Sequence, residues 1–293
     1  VSESESFDPM DPRIDVGEWA ENGVDWLDET FGPVLDGISD GLSTVYDAVV
    51  DLLTAPPFLV MVVLFAALGW FVRSWQFAIF AAAGFYLIAA MDQWEGAMET
   101  LTLVLLSAGM AVLLSVPLGV WAAKSSTVSQ IVRPVLDFMQ TLPPMVYLIP
   151  ALAMFGIGSV PGMLATVVFA MPPGVRLTEL GIRQVDTEVV EAGQAFGSPP
   201  GRILRQIQLP LALPTIMAGI NQVIMLSLSM VVLAAMVGAA GLGLDVLSGL
   251  TTLDVAIGVE AGLGVVILAI YLDRLVAALA DRAPVVKAAK VRD

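Results

Sequence analysis

The stretch Met98–Trp121, METLTLVLLSAGMAVLLSVPLGVW, decides the fold class. Beyond Glu99 it is a predominantly apolar run without a charge, and the hydrocarbon core of a bilayer takes roughly 20 such residues in a helix. Similar runs lie on both sides of it: Pro57–Val72 and Trp75–Met91 before, then Met145–Ile157, Met163–Pro173, Ile216–Ala239 and Val255–Leu272 after. The fourth and fifth runs are short and bracketed by Pro143, Pro144, Pro161, Pro172 and Pro173. With 57% apolar and 14% charged residues and a mean hydropathy of +0.85, the 293-residue chain has too little polar surface for a soluble globule. The expectation is an all-α, polytopic membrane helix bundle of about seven crossings, not a barrel. The chain has no cysteine and no histidine, which removes disulfides, thiolate nucleophiles, imidazole bases and the usual zinc and haem ligand sets.

Charge is unevenly placed. Residues 1–55 hold 14 of the 28 acids and one base, Arg13, so nucleic acid is excluded as a partner. Within this acidic tail Leu27, Phe31, Val34, Leu35, Ile38, Leu42, Val45, Tyr46, Val49, Leu52 and Leu53 follow helical spacing, with Asp36, Asp40, Asp47 and Asp51 opposite. This predicts one or two amphipathic helices, interrupted near Gly32 and Pro33, lying along a membrane surface or packed on the chain's own spans, with docking of an external partner as the alternative. No basic segment, apolar core and cleavage site mark a signal peptide at the start, so the first span is expected to serve as its own insertion signal. Lys and Arg in short loops stay cytoplasmic. With the amino terminus outside, 12 of the 13 bases fall inside, among them Arg73, Lys124, Arg133, Arg176, Arg183, Arg202, Arg205, Arg274, Arg282, Lys287, Lys290 and Arg292. The chain then divides into the tail at 1–55, two spans at 56–95, a core at 96–275 and a basic cytoplasmic tail at 276–293.

The segment from Gly174 to Pro214, about forty residues, is the one long internal loop of this reading. It contains Glu191-Ala192-Gly193-Gln194-Ala195-Phe196-Gly197, the turn Ser198-Pro199-Pro200-Gly201, and Arg202 to Leu209 followed by Pro210. Small residues at Ala192, Gly193, Ala195 and Gly197 let another backbone approach, and Gly197 can take the positive φ that ends a helix. The pattern suits a helix-turn-helix knob held in a partner's groove.

Here the sequence resembles the permease subunits of ATP-binding cassette importers. Their cytoplasmic signature is Glu-Ala-Ala, three residues, Gly, nine residues, Ile, one residue, Leu-Pro. This chain supplies Glu191, Ala192, Gly193 in place of the second Ala, Gly197, Ile207, Leu209 and Pro210. Arg133–Tyr147, Gly181–Val185, Leu209–Gly219, Leu228–Val232 and Ile267–Leu275 are similar to the glycine betaine and proline betaine branch. The resemblance implies a type I importer permease fold in a bacterial inner membrane. It also implies a second copy of the chain, a cytoplasmic ATPase dimer that carries ATP and magnesium, and a periplasmic or surface receptor that delivers a methylated ammonium osmolyte. Glu191, Ala192, Gly193 and Gly197 would couple to the ATPase. Arg202 and Arg205 would pair with its acids or anchor the loop on the anionic inner leaflet. No cofactor is expected on this chain. Gly119-Val120-Trp121-Ala122-Ala123-Lys124-Ser125 lacks the glycine before lysine that a phosphate loop needs.

Met139, Tyr147, Met225 and Met230 are candidates to line a pathway for a methylated cation, with ordinary packing the default reading. Glu260, just inside the last span, either lines the path or reaches the interface. Gly258 and Gly262 suit a close helix contact, by default inside one chain. An ion-coupled secondary transporter is the alternative class, and an intramembrane enzyme is disfavoured because the spans hold no catalytic constellation.

Overall fold

A computed structural model describes residues 15–281, and every regular element among the described residues is helical. The expectations resting on Arg13, Arg282, Lys287, Lys290 and Arg292 lie outside the described residues.

Apolar length sets the frame. Helices α1 (Val16–Thr54), α2 (Phe58–Val72) and α3 (Trp75–Ala90) precede α4 (Trp94–Lys124), whose 31 residues contain the Met98–Trp121 run. Then follow α5 (Ser126–Thr141), a 3-10 turn (Pro144–Tyr147), α6 (Leu148–Phe155) and α7 (Ser159–Arg183). The chain continues through α8 (Thr187–Ala195), α9 (Pro200–Ile203), a π-turn (Leu204–Gln208), α10 (Leu209–Ser229) and α11 (Val231–Ala235). Helices α12 (Leu242–Thr252) and α13 (Val255–Asp281) end it. Among the described residues four spans, α4, α7, the α9–α11 run and α13, are long and apolar enough to cross a bilayer alone. The number rises to six if each of two bent pairs counts as one span, α1 with α2 (bent 99°) and α5 with the turn and α6 (bent 109°), while α3 is a shorter apolar helix.

Three expectations change. Met145–Ile157 is no independent crossing: α6 has eight residues, about 12 Å of rise against a hydrocarbon core of about 30 Å, and it continues α5 through a sharp bend. The fifth run does not stop at Pro173. Pro172 and Pro173 lie inside α7, as proline can in a membrane helix whose neighbours re-satisfy the freed backbone, so residues 174–183 are helix and the connection shrinks to 184–208. Pro33 does not interrupt α1, which runs unbroken with Pro33 exposed on its surface.

Helix α7 is the centre of the bundle, packed between α4 and α10. Val104, Ala108 and Ala111 of α4, Val167 and Ala170 of α7, and Val223, Ile224 and Leu228 of α10 share one buried cluster. Small residues set the spacing: a Cβ on Gly119 would stand 2.6 Å from Thr178 Cβ and 2.7 Å from the Val175 carbonyl oxygen. The α2–α3 pair attaches to α13 through aromatic rings. Phe65 stacks on Phe85 at 4.3 Å, Phe77 stacks on Tyr271 at 5.5 Å, and the Tyr271 hydroxyl donates to the Phe65 carbonyl at 3.1 Å. The second half of α1 lays Leu42, Tyr46 and Val50 against Leu103, Val160 and Met163, the packing on the chain's own spans expected from the sequence. Its first half leaves Trp19, Trp26, Val34 and Ile38 exposed.

Gly119→Leu should force α4 from α7, at an overpacking cost of about 1–3 kcal/mol, and lower the melting temperature of the purified chain. Gly109→Leu, at a position where nothing lies within 4 Å of an added Cβ, should melt like wild type. Equal melting of the two variants would refute the central role of the α4–α7 contact.

Candidate functional site

The connection between α7 and α10 is a built hairpin. The Asp186 side chain caps α8 by accepting from the Glu188 amide at 2.9 Å. At the other end Gly197 has φ +74°, its amide donates to the Gln194 carbonyl at 2.8 Å, and the Ser198 amide donates to the Gly193 carbonyl at 3.2 Å. This pair of bonds is the Schellman stop, and it needs a residue without a Cβ penalty at Gly197. The chain reverses through Pro199 at a backbone ψ of 153° into α9. Ile203 is buried, and Ile207 fills the space above Gly193, where a Cβ would stand 2.7 Å from Ile207 Cδ1. Leu204 and Leu209 pack on Ile182, Ala212 and Ile216, tying the hairpin to both flanking spans.

Its outer surface is unlike its inner one. Glu191, Ala192, Arg202 and Arg205 are exposed, and neither arginine has an acidic partner within 4.0 Å among the described residues. Phe196 is 91% exposed at the tip, and Val189 of α8 is also exposed. A cavity of about 430 Å3 separates the hairpin from the end of α4 and is lined by Lys124, Val190, Gln194 and Gln208.

Behind the hairpin lies a charged clasp. Glu179 of α7 is 4% exposed and accepts from Ser129 Oγ at 2.7 Å, from Arg133 Nη2 at 3.0 Å, both on α5, and from Arg183 Nε at 2.8 Å. Arg176 pairs with Asp137 beside it, and Arg183 also donates to the Ala122 carbonyl of α4 at 2.9 Å. Burial of the Glu179 carboxylate makes its bonds strong and makes their loss costly.

The geometry of a small-residue hairpin between two spans is thus in place, and residues 115–283 match the model of the binding-protein-dependent transport system inner membrane component. The chain belongs to that family. As a permease of this family it is 48% identical over 264 residues to the glycine betaine transport system permease protein OpuAB of Bacillus subtilis, covering 90% of this chain and 94% of the relative. It is 49% identical over 280 residues to the glycine betaine/carnitine transport permease protein GbuB of Listeria monocytogenes, covering 94% and 99%. The glycine betaine/proline betaine permease ProW of Escherichia coli is 42% identical over 279 residues, covering 94% of this chain and 79% of the relative. The fold is that of the permease in an inward-facing crystal form of the MetNI methionine ABC transporter, with a TM-score of 0.56 and 22% identity over 69% of this chain and 96% of that one.

The expected site residues divide. Glu191, Ala192, Gly193 and Gly197 share the hairpin with Arg202 and Arg205. Of the pathway candidates, the Tyr147 hydroxyl donates to the Met139 carbonyl and its ring lies 6.2 Å from Phe169, Met225 is exposed on α10, and Glu260 is half-buried in the second turn of α13. Met230 is 0% exposed among Leu148, Ala151, Ala165 and Val237, the ordinary packing that the sequence also allowed for it. Gly258 meets Gly249 of α12 inside the chain, whereas nothing lies within 4 Å of a Cβ added to Gly262. Sequence reading missed Phe196 as a surface feature and Glu179 as the centre of the clasp. The signal for Glu179 was a carboxylate flanked by Arg176 and Arg183 at helical spacing.

Glu179→Ala should leave Arg133 and Arg183 without their shared acceptor and destabilise the purified permease by about 1–3 kcal/mol, whereas Glu191→Ala on the exposed face should stay within about 0.5 kcal/mol of wild type. Thermal unfolding in detergent reads both, and equal melting of the two variants would refute the clasp.

Proposed function

We propose that this chain is the transmembrane subunit of an ATP-driven importer for glycine betaine or a related methylated ammonium osmolyte, such as proline betaine, choline, carnitine or trimethylamine N-oxide. Two copies form the pathway, a receptor on the outer side delivers the solute, and a separate ATPase pair binds ATP and magnesium below the α8–α9 hairpin. The observation that carries the reading is the hairpin itself. The signature residues Gly193, Gly197, Ile207 and Leu209 are spent on its internal construction, which leaves an ordered knob whose tip residue, Phe196, is 91% exposed. An aromatic side chain on a pre-organised knob is the usual anchor of a protein interface. Exposed Arg202 and Arg205 supply a basic rim for an acidic partner surface.

The relatives named for glycine betaine, carnitine and proline betaine support the substrate class, since each is aligned along nearly the whole of this chain. The amino terminus outside and the hairpin in the cytoplasm is the orientation the basic residues favour. In its support, Arg73 at the end of α2 donates to the Arg274 carbonyl near the end of α13 at 3.4 Å, and Arg183 beside the hairpin reaches the end of α4. Transfer of the solute needs no catalytic group on this chain. ATP binding draws the two hairpins together below, and the spans rock with them between inward-open and outward-open states.

Phe196→Ala should leave melting unchanged and weaken ATPase association by about 2 kcal/mol, roughly 30-fold, with matching loss of receptor-stimulated ATP hydrolysis in the reconstituted complex. Gly197→Leu should disrupt the helix stop and abolish stimulation. Wild-type stimulation in both variants would overturn the coupling role. Uptake by the chain alone in vesicles, driven by an ion gradient without nucleotide, would establish the secondary-transporter alternative instead.

A further inference from the structure

Spanning helices turn apolar side chains to lipid, because a polar group in hydrocarbon loses its water and gains no partner. The exposed stripe of α4 obeys this with Leu105, Leu113, Leu114 and Trp121, and that of α13 with Leu263, Val266 and Ile270. Helix α10 obeys it only in its first turns, with Leu211 and Pro214. Farther along the same exposed stripe come Ala218, Gln222, Met225 and Ser229 at helical spacing, so the stripe turns polar. Other polar groups of the same helix are turned inward and bonded: Ser227 donates to the Val223 carbonyl at 2.9 Å and Asn221 Nδ2 donates to Asp273 at 2.9 Å. The Gln222 amide has no hydrogen-bond partner among the described residues, and Ser229, which donates to the Met225 carbonyl at 3.0 Å, keeps its acceptor positions open.

We propose that Gln222, Met225 and Ser229 line the aqueous path by which solute crosses the membrane, along about 10 Å of α10. The proposal rests on the transport reading and extends it to the chemistry of the lining. An amide oxygen, a thioether and a hydroxyl present partial negative charge and polarizable surface without a formal charge. Such a wall solvates the methyl shell of a quaternary ammonium weakly at several positions, so the solute enters without being trapped, as conduction requires. A fixed carboxylate here would hold the cation, and a purely apolar wall would exclude its charge.

Because the chain has no cysteine, single thiols can be introduced without background. Gln222→Cys, Met225→Cys and Ser229→Cys, with Leu113→Cys as the lipid-facing control, would be prepared as full chains in the assembled transporter in membrane vesicles. They would be exposed to a water-borne methanethiosulfonate reagent bearing a trimethylammonium head. A thiol reacts as the thiolate, which requires water. The three α10 positions should be modified at least tenfold faster than Leu113→Cys, and excess glycine betaine should slow modification at Gln222→Cys and Ser229→Cys. Modification no faster than the control at all three positions would overturn the proposal. So would unreactive thiols that instead cross-link between two copies under oxidation, which would make the face an interface. Fast modification without protection by glycine betaine would overturn the assignment of substrate chemistry. Parallel uptake assays separate the two readings: fast modification in a chain that shows no nucleotide-dependent uptake keeps the path and rejects the importer.

Discussion

Apolar side chains gain nothing by leaving lipid for one another, so a membrane bundle must be held by close van der Waals fit and by polar contacts that lipid cannot supply. That constraint explains why α7 is the element on which the fold depends. It approaches α4 where Gly119 accepts Thr178 and the Val175 carbonyl, and it approaches α10 where Gly219 stands 3.0 Å, by an added Cβ, from Leu177. Buried Pro172, Pro173 and Gly174 give this stretch of α7 little side-chain bulk. A helix so enclosed has fixed ends, and the hairpin grows directly from one of them.

The hairpin is stiff for reasons that differ from those of the bundle. Its capping bonds are local, and its apolar contacts, Ile203 and Ile207 against Gly193, are made within the hairpin itself. At Gly193, which stands where the signature has alanine, Ile207 Cδ1 occupies the volume that a methyl group would take, so an alanine there needs Ile207 to turn aside. Leu209 then carries the order onward into α10 through the cluster with Ile182 and Ile216. Force applied at Phe196 therefore reaches two spans through covalent continuity and one packed cluster, without a flexible linker.

Much of this was legible in the sequence. The apolar runs located the helices because a bilayer demands length, and the signature residues located the hairpin because a helix stop demands glycine. The errors share a physical origin. Proline was read as a boundary at Pro33 and Pro172-Pro173, yet each sits inside a helix, exposed to solvent in one case and enclosed by neighbouring helices in the other. A run of apolar residues around Met145 was read as a crossing because composition does not report a bend of 109°. For Met230 residue type alone left path lining and ordinary packing both open, because its burial among Leu148 and Val237 is set by distant parts of the chain. Glu179 was missed because ending α7 at Pro173 placed it in a loop, where a carboxylate needs no partners.

The clasp around Glu179 gives α5 a particular status. Its apolar side chains Ile131, Val135 and Phe138 are exposed, and exchanging such contacts between lipid and protein costs little. Its polar side is different: Ser129 and Arg133 meet a buried carboxylate, and Asp137 meets Arg176. Hydrogen-bonded ion pairs are directional and short-ranged, so they hold one geometry where apolar contact would allow many. Because Arg183 shares Glu179 and lies one turn from the start of the hairpin, a displacement there acts on α5 through the same carboxylate. Beyond Leu142 and Pro143 the chain bends into α6, whose Leu148 and Ala151 pack against Ala165 and Met230. The two halves of this broken span are thus bound by different physics, charge at one end and close packing at the other, and the Tyr147 hydroxyl, donating to the Met139 carbonyl, bridges the bend between them.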